Sequence, residues 1–229
     1  MIIQINGNSL REIKIITALH TQTKRDYLKR MTNQKAQCMI VSKKYGYDYW
    51  DGNRKYGYGG YNYIPGRWRK TAQKLIKMYD LNNESNILDV GCGKGFLLFE
   101  IKKILPKIRI TGIDISSYGL KNSKKEIKKF LFKKDIRKPL KYRSNQFDLV
   151  FSINTLHNLE INFLIKALKE IQRVGNKHFI CSESYKNEKE LFNLQCWALT
   201  CESFFSKDEW KYLFKLAGYT GDYEFIYFE

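Results

Sequence analysis

Apolar and polar positions alternate along this chain with two distinct periods. Trp68, Ala72, Leu75, Ile76 and Tyr79 recur at offsets of four, seven, eight and eleven, one face of an amphipathic helix, with Pro65 placed to start it. Short apolar runs follow: "NILDV", "IRITGIDIS", "FLFKKDI", "FDLVFSIN" and "HFICSES" each predict a strand. Between them "GFLLFEIKKIL", "SYGLKNSKKEIKKF" and "INFLIKALKEIQRV" predict helices. "SKDEWKYLFKLAG" predicts another, with Ser206 and Glu209 forming a capping box and Gly218 ending it; "DYEFIYFE" closes the chain as a strand. Strands that alternate with helices imply a parallel sheet covered on both faces.

The first sixty residues are less regular. Residues 1–20 read as a poorly ordered leader or a short helix, and 21–44 have helical character. Residues 49–63, "YWDGNRKYGYGGYNY", place six aromatic side chains and four glycines in fifteen positions. Such a stretch is a linker, a packed element or a lid, and the lid reading is adopted here. Its candidate contacts are Trp50, Arg54, Tyr56, Tyr58 and Tyr61, with Arg67 just beyond.

Composition narrows the picture. With 229 residues the chain suits one sizeable core with an extension, and 43% hydrophobic content favours folding over disorder. No run of about eighteen apolar residues predicts a membrane-spanning helix, and the first twenty residues lack the apolar core of a signal peptide. Five cysteines without a C-x-x-C predict reduced thiols in a cytoplasmic protein, with neither disulfides nor a metal site. The net charge of +18 is uneven: residues 102–143 carry fifteen Lys and Arg against three acids, residues 144–229 nine against twelve. A basic surface attracts phosphates and other anions. Lys, Asn and Ile are also A/T-rich-codon residues, so genome composition accounts for part of the excess.

The chemistry concentrates in "LDVGCGKG". Asp89 ends a strand, and Gly91, Gly93 and Gly95 let the backbone turn and bring a ligand against its N–H groups. A dinucleotide site would read G-x-G-x-x-G. Here the spacing is G-x-G-x-G with an acid two residues earlier, which repels a pyrophosphate and suits a ligand carrying a cationic amine. Asp114 ends the next strand nineteen residues after Gly95, where a carboxylate can bind ribose hydroxyls. Asp135 ends the third strand within reach of an adenine amine.

With these motifs the chain resembles the class I S-adenosylmethionine-dependent methyltransferases over residues 65–228. "ILDVGCGKG", "GIDIS", "KKDI" and "FDLVFSINTLHNL" carry the resemblance. It implies an α/β fold: a Rossmann-like, doubly wound, mostly parallel sheet of six or seven strands over 65–229, with residues 1–64 as a helical and aromatic lid. It also implies S-adenosylmethionine as cofactor and S-adenosylhomocysteine as product. Asp89 and the three glycines would surround the methionine part, Asp114 and Ile115 the ribose, Asp135 and Ile136 the adenine. Asn154 and Leu156 would line the cofactor near its sulfonium. Family members usually end in a two-stranded hairpin, but about ten residues follow Gly218, so the last pair is very short or one strand is missing.

Two classes of acceptor are disfavoured: "SINT" stands where an exocyclic-nitrogen methyltransferase has an Asn/Asp-Pro-Pro-Tyr-like motif, and the nucleophilic Pro-Cys or Thr-Cys of cytosine C5 chemistry is absent from the region after strand four, Thr200-Cys201 lying much later. His157 is the candidate general base, with Glu183 and Tyr185 expected on the same cleft and Trp197 as a pocket wall. His20 and His178 read as structural or exposed. A similarity to a bacterial subgroup associated with surface-polysaccharide clusters implies a small, anionic, nucleotide- or sugar-linked acceptor, with O-methylation favoured. The alternative is an RNA or protein methyltransferase using its lysines. Lys121, Lys124, Lys125, Lys128 and Lys129 are expected on one helix away from the cleft, and no RNA-binding module is evident, which disfavours nucleic acid.

Overall fold

The computed structural model describes residues 10–20 and 24–229. It contains one seven-stranded sheet in which every pairing is parallel. The strands are β1 (Arg11–Glu12), β2 (Asn86–Val90), β3 (Arg109–Asp114), β4 (Leu131–Lys133), β5 (Phe147–Ile153), β6 (Gly175–Glu183) and β7 (Asp222–Ile226). Before β2 come α1 (Thr17–His20), α2 (Tyr27–Thr32), α3 (Lys35–Ser42), α4 (Tyr47–Trp50) and α5 (Arg69–Tyr79). The crossovers after it carry α6 (Phe96–Ile104), α7 (Ser117–Lys121), α8 (Ile161–Val174), α9 (Glu188–Trp197) and α10 (Lys207–Ala217).

The sheet order is β1-β7-β6-β5-β2-β3-β4. The chain winds outward from β2 in one direction and from β5 in the other, so the topological switch lies between them. Ligands of open α/β sheets bind outside the carboxyl ends of the strands at such a point. Alternate residues of the central strands serve the two faces. Ile87, Leu149 and Phe179 join the core packed by α5 and α6, while Leu88, Val150 and Ile180 join the one packed by α8 and α10. Near-continuous apolar strands are what two covered faces require.

The sheet edge resolves the missing strand. β7 is a parallel neighbour of β6, and β1, from the other end of the chain, adds to its far side. Residues 10–20 are therefore not a loose leader, while residues 1–9 lie outside the described residues. Arg11 makes a two-pronged contact with Asp222, at 2.9 Å for each bond. Glu224, 1% exposed, accepts the backbone N–H groups of Ile15, Ile16 and Thr17 and the Thr17 hydroxyl. Replacing Glu224 with Ala would strand those buried donors at about 1–3 kcal/mol each. We expect a lower urea midpoint with an unchanged slope; an unchanged midpoint would show that the anchor contributes nothing.

Three expected helices differ in detail. Residues 27–42 form two helices, broken at Gln34, whose φ is 50°. Residues 65–68 form a turn and α5 starts at Arg69, because Gly66 takes a φ of 78° that no right-handed helix accommodates. The lysine-rich helix stops at Lys121; Lys124 to Lys129 continue through a turn into a single 3₁₀ turn at Lys128–Phe130. Ile127 is buried there, which pulls the backbone inward.

Candidate active site

Two adjoining chambers open at the switch point. The first, about 330 Å³, is lined by Asp89, Gly91, Cys92 and Gly93 after β2, Asp114 and Ile115 after β3, and Asp135 and Ile136 after β4. The second, about 430 Å³, holds His157, Glu183 and Trp197. Asn154, Asn158, Tyr49, Tyr58 and Tyr61 line both and form the wall between them.

The glycine bend is close-fitted. Gly91 has a φ of 83°, and a Cβ there would run into the Thr155 side chain. Gly93 has a φ of 56°, and its Cβ would lie 2.7 Å from the Trp50 ring. Gly95 caps α6 with a φ of 70° and does not line the chamber.

The acids divide by environment. Asp89 is 5% exposed, and burial together with the nearby Asp114 carboxylate pushes its pKa well above the usual range. Asp114 is raised by burial too, partly offset by the N–H groups of Ser116 at 2.7 Å and Gly93 at 2.8 Å. Among the described residues neither carboxylate has an ion-pair partner. A buried carboxylate without a cation is costly unless a ligand supplies one. Asp135 differs: a hydrogen-bonded pair with Arg137 at 2.7 Å holds it below the ordinary carboxylate range.

The aromatic stretch covers the first chamber. Trp50 is 6% exposed, and its Nε1 donates to Ser116 Oγ at 2.8 Å. Tyr58 stacks on Trp50 with planes 10° apart, and Tyr61 stacks on Phe96 at 5.2 Å. Asp51 fastens the stretch to the glycine bend: both carboxylate oxygens lie 2.7 Å from Lys94 Nζ, and Tyr118 and the Tyr61 N–H donate to it as well. Burial works to raise the Asp51 pKa, but the hydrogen bonds from Lys94 and Tyr118 outweigh it and hold the carboxyl below its ordinary range.

In the second chamber His157 is 4% exposed. Its Nε2 lies 3.6 Å from Glu183 Oε2, and its buried Nδ1 has no hydrogen-bond partner among the described residues. Burial lowers the imidazole pKa below 6.5, with Glu183 acting the other way, so the ring is neutral at pH 7. Arg54 and Arg67 line this chamber, and Arg67 lines the first as well.

Several expectations need correction. Tyr185 lines neither chamber; β6 ends at Glu183, and the Tyr185 hydroxyl points to Glu209 at 3.4 Å. Leu156 is fully buried in the core under α8, because Asn154, with a φ of 52°, reverses the chain before it. Tyr56 also lies off both linings, under the Lys55 ammonium. His20 lines both chambers and bonds to the Tyr227 carbonyl at 3.0 Å, whereas His178 is buried in the scaffold. Tyr49, Asn158, Arg25 and Arg30 line the chambers, and Asp51 and Lys94 fasten the aromatic stretch without lining either; none of the six was foreseen. The one signal for Asp51 and Lys94 is an acid inside the aromatic stretch and a lysine between two glycines.

A parallel sheet of this order, with a glycine bend and paired acids at the tips of its central strands, has the architecture of a class I methyltransferase. The chain belongs to the methyltransferase-domain family, whose model matches residues 81–218. It is 33% identical over 159 residues to the malonyl-[acyl-carrier protein] O-methyltransferase of Priestia megaterium, covering 62% of this chain and 57% of that protein. It is 31% identical over 108 residues to the ribosomal RNA small subunit methyltransferase C of Buchnera aphidicola from Schizaphis graminum, covering 43% of this chain and 32% of that protein. The chain thus spans between a third and somewhat over half of these relatives. The YcgJ protein of Bacillus subtilis has the same fold, with a TM-score of 0.52 at 16% identity, over 64% of this chain and 66% of that one. The MccD protein gives a TM-score of 0.50 at 21% identity, over 68% and 72%. Among the described residues no helix is long and apolar enough to cross a membrane.

Proposed function

We propose that the protein is an S-adenosylmethionine-dependent O-methyltransferase acting on a small acceptor in the second chamber. One observation carries this reading: the buried Asp89 and the partly buried Asp114 both face the first chamber, and neither has an ion-pair partner among the described residues. They suit a cofactor that brings a positive charge and ribose hydroxyls. Asp89, Gly91 and Gly93 would hold its amino-acid part, Asp114 and Ile115 the ribose, and Asp135 and Ile136 the adenine. Asn154 would lie beside the sulfonium. S-adenosylmethionine supplies an electrophilic methyl group and leaves as S-adenosylhomocysteine. Residues 24–64 serve as the lid, and residues 65–229 as the cofactor domain, whose sheet the N-terminal β1 completes.

The acceptor hydroxyl would sit between Asn154 and His157, held for in-line approach. His157 takes its proton, and Glu183 stabilises the imidazolium that results. The acceptor is a small, anionic, nucleotide- or sugar-linked molecule of surface-polysaccharide assembly, modified in the cytoplasm. A second chamber of about 430 Å³ supports a small molecule over a macromolecule.

The test uses methyl-tritiated cofactor offered to nucleotide sugars and sugar phosphates, and in parallel to RNA and bulk protein. Label in an alkali-stable ether of the sugar fraction is expected; label in RNA or protein alone would refute the acceptor class. His157→Gln should lower kcat about 100-fold or more with cofactor affinity unchanged. The wild-type rate should fall as pH drops through the His157 pKa, which lies below 6.5. An acid limb that persists unchanged in the residual rate of His157→Gln would exclude His157 as the base.

A further inference from the structure

Resting on that reading, we propose that the acceptor carries a phosphate ester, and that Arg30, Arg54 and Arg67 seat its oxygens beside Trp197. Guanidinium carbons of Arg30 and Arg54 lie 4.5 Å and 5.1 Å from the centre of the Trp197 ring, and that of Arg25 lies 5.5 Å from it. Stacking on an indole explains one such contact. It does not explain why several like charges gather at one side chain.

What these arginines bond to is informative. Arg30 donates to the backbone carbonyls of Arg54 at 3.1 Å and Lys55 at 2.8 Å. Arg54 donates to the Gly57 carbonyl. Arg67 lies exposed at the junction of the two chambers. Carbonyl oxygens orient a guanidinium without neutralising it. Lys35 is a contrast: its ammonium bonds to the carbonyls of Cys196 and Ala198, so it caps the end of α9 and has a structural role. Among the described residues that line the second chamber with Arg30, Arg54 and Arg67, Glu183 is the one carboxylate, and it faces His157. Burial first, and the charge of Arg54 second, pull the Arg30 pKa down to about 10.

An anion relieves the repulsion between such like charges. A carboxylate brings one charge and occupies one guanidinium fork. A phosphate monoester brings roughly 1.5 to 2 charges near neutral pH and three strong acceptor oxygens, which fits a cluster of forks better. The chamber leaves room for a sugar-sized body whose hydroxyl reaches His157. The phosphate belongs to a sugar phosphate or to a nucleotide, and the same three arginines would serve either.

The experiment is calorimetry on the full chain saturated with S-adenosylhomocysteine, which leaves the second chamber open. Inorganic phosphate is titrated first, then glucose 1-phosphate, uridine diphosphate and, as the carboxylate control, acetate. Phosphate should bind one site, at least tenfold more tightly than acetate. Arg30→Gln combined with Arg54→Gln should weaken phosphate at least tenfold and S-adenosylhomocysteine less than twofold. Should that double variant melt early, the single change Arg67→Gln carries the test, with a loss of threefold or more. Glucose 1-phosphate or uridine diphosphate, whichever binds more tightly and loses affinity in the variants, names the source. Equal phosphate affinity in wild type and variants, or acetate binding as tightly as phosphate, would overturn the proposal. Failure of S-adenosylhomocysteine to bind would instead strike the cofactor reading, and the phosphate titration without it still reads the arginines.

Discussion

Asp114→Ala should bind S-adenosylmethionine at least about 100-fold more weakly than the wild type, since two ribose hydroxyls bonded to a carboxylate contribute about 1.5–3 kcal/mol each. The same side chain holds the Gly93 and Ser116 N–H groups, so alanine also loosens the glycine bend. Asp114→Asn is a milder change: its one amide oxygen can keep either the Ser116 or the Gly93 N–H, which bond to different carboxylate oxygens, while the charge is gone. Its affinity should fall between those of alanine and wild type.

The raised pKa values of Asp89 and Asp114 add a pH dependence whose sign is unusual for carboxylates. The folded, ligand-free protein holds their protons more tightly than the unfolded chain does. Their contribution to stability is therefore full below the ordinary carboxylate range and is lost as pH rises through their raised values. A cationic ligand reverses that loss. The rise in melting temperature caused by S-adenosylmethionine should therefore grow as pH rises through those raised values. The same pH dependence in Asp89→Asn/Asp114→Asn would mean that the two carboxylates do not face the ligand's charge.

Asp51→Leu should cost about 3–5 kcal/mol of unfolding free energy, because it strands a buried ammonium. Lys94 is 3% exposed, and Asp51 is the one carboxylate paired with it among the described residues. The change also frees the aromatic stretch from the glycine bend, so cofactor affinity should fall with stability. Adding Lys94→Met removes the stranded charge and should recover most of the stability but not the affinity, since nothing then ties the lid down. Urea unfolding and calorimetry on the two variants check both halves. A single variant as stable as wild type would show that the pair is not a fastening.

The parts of this molecule written in local pattern were legible from sequence. The central strands announce themselves as apolar runs because both sheet faces are covered, and α8 spans the predicted 161–174. Asp89 and Asp114 were legible because the glycine bend fixes their distance along the chain. The rest depends on contacts the chain makes far from each residue. Asp51 and Lys94 are 43 positions apart, and neither has a neighbour that signals the other. β1 is two residues, Arg11 and Glu12, with no apolar signature, and it pairs with β7 at the opposite terminus. Tyr185 and Leu156 were misjudged for a shared reason. Both follow a strand end, where the alternation that would aim them at the cleft stops. β6 gives way to a turn before Tyr185, and the left-handed Asn154 swings Leu156 under α8.

Asp89 and Asp114, paired at adjacent strand ends without a cation among the described residues, would form a berth for an adenosyl sulfonium. The decisive measurement is a pair of calorimetric titrations on the wild-type protein, S-adenosylmethionine and NAD each into the ligand-free chain. The account predicts one-to-one binding of S-adenosylmethionine and no heat from the dinucleotide. Saturable binding of NAD with none of S-adenosylmethionine would contradict it.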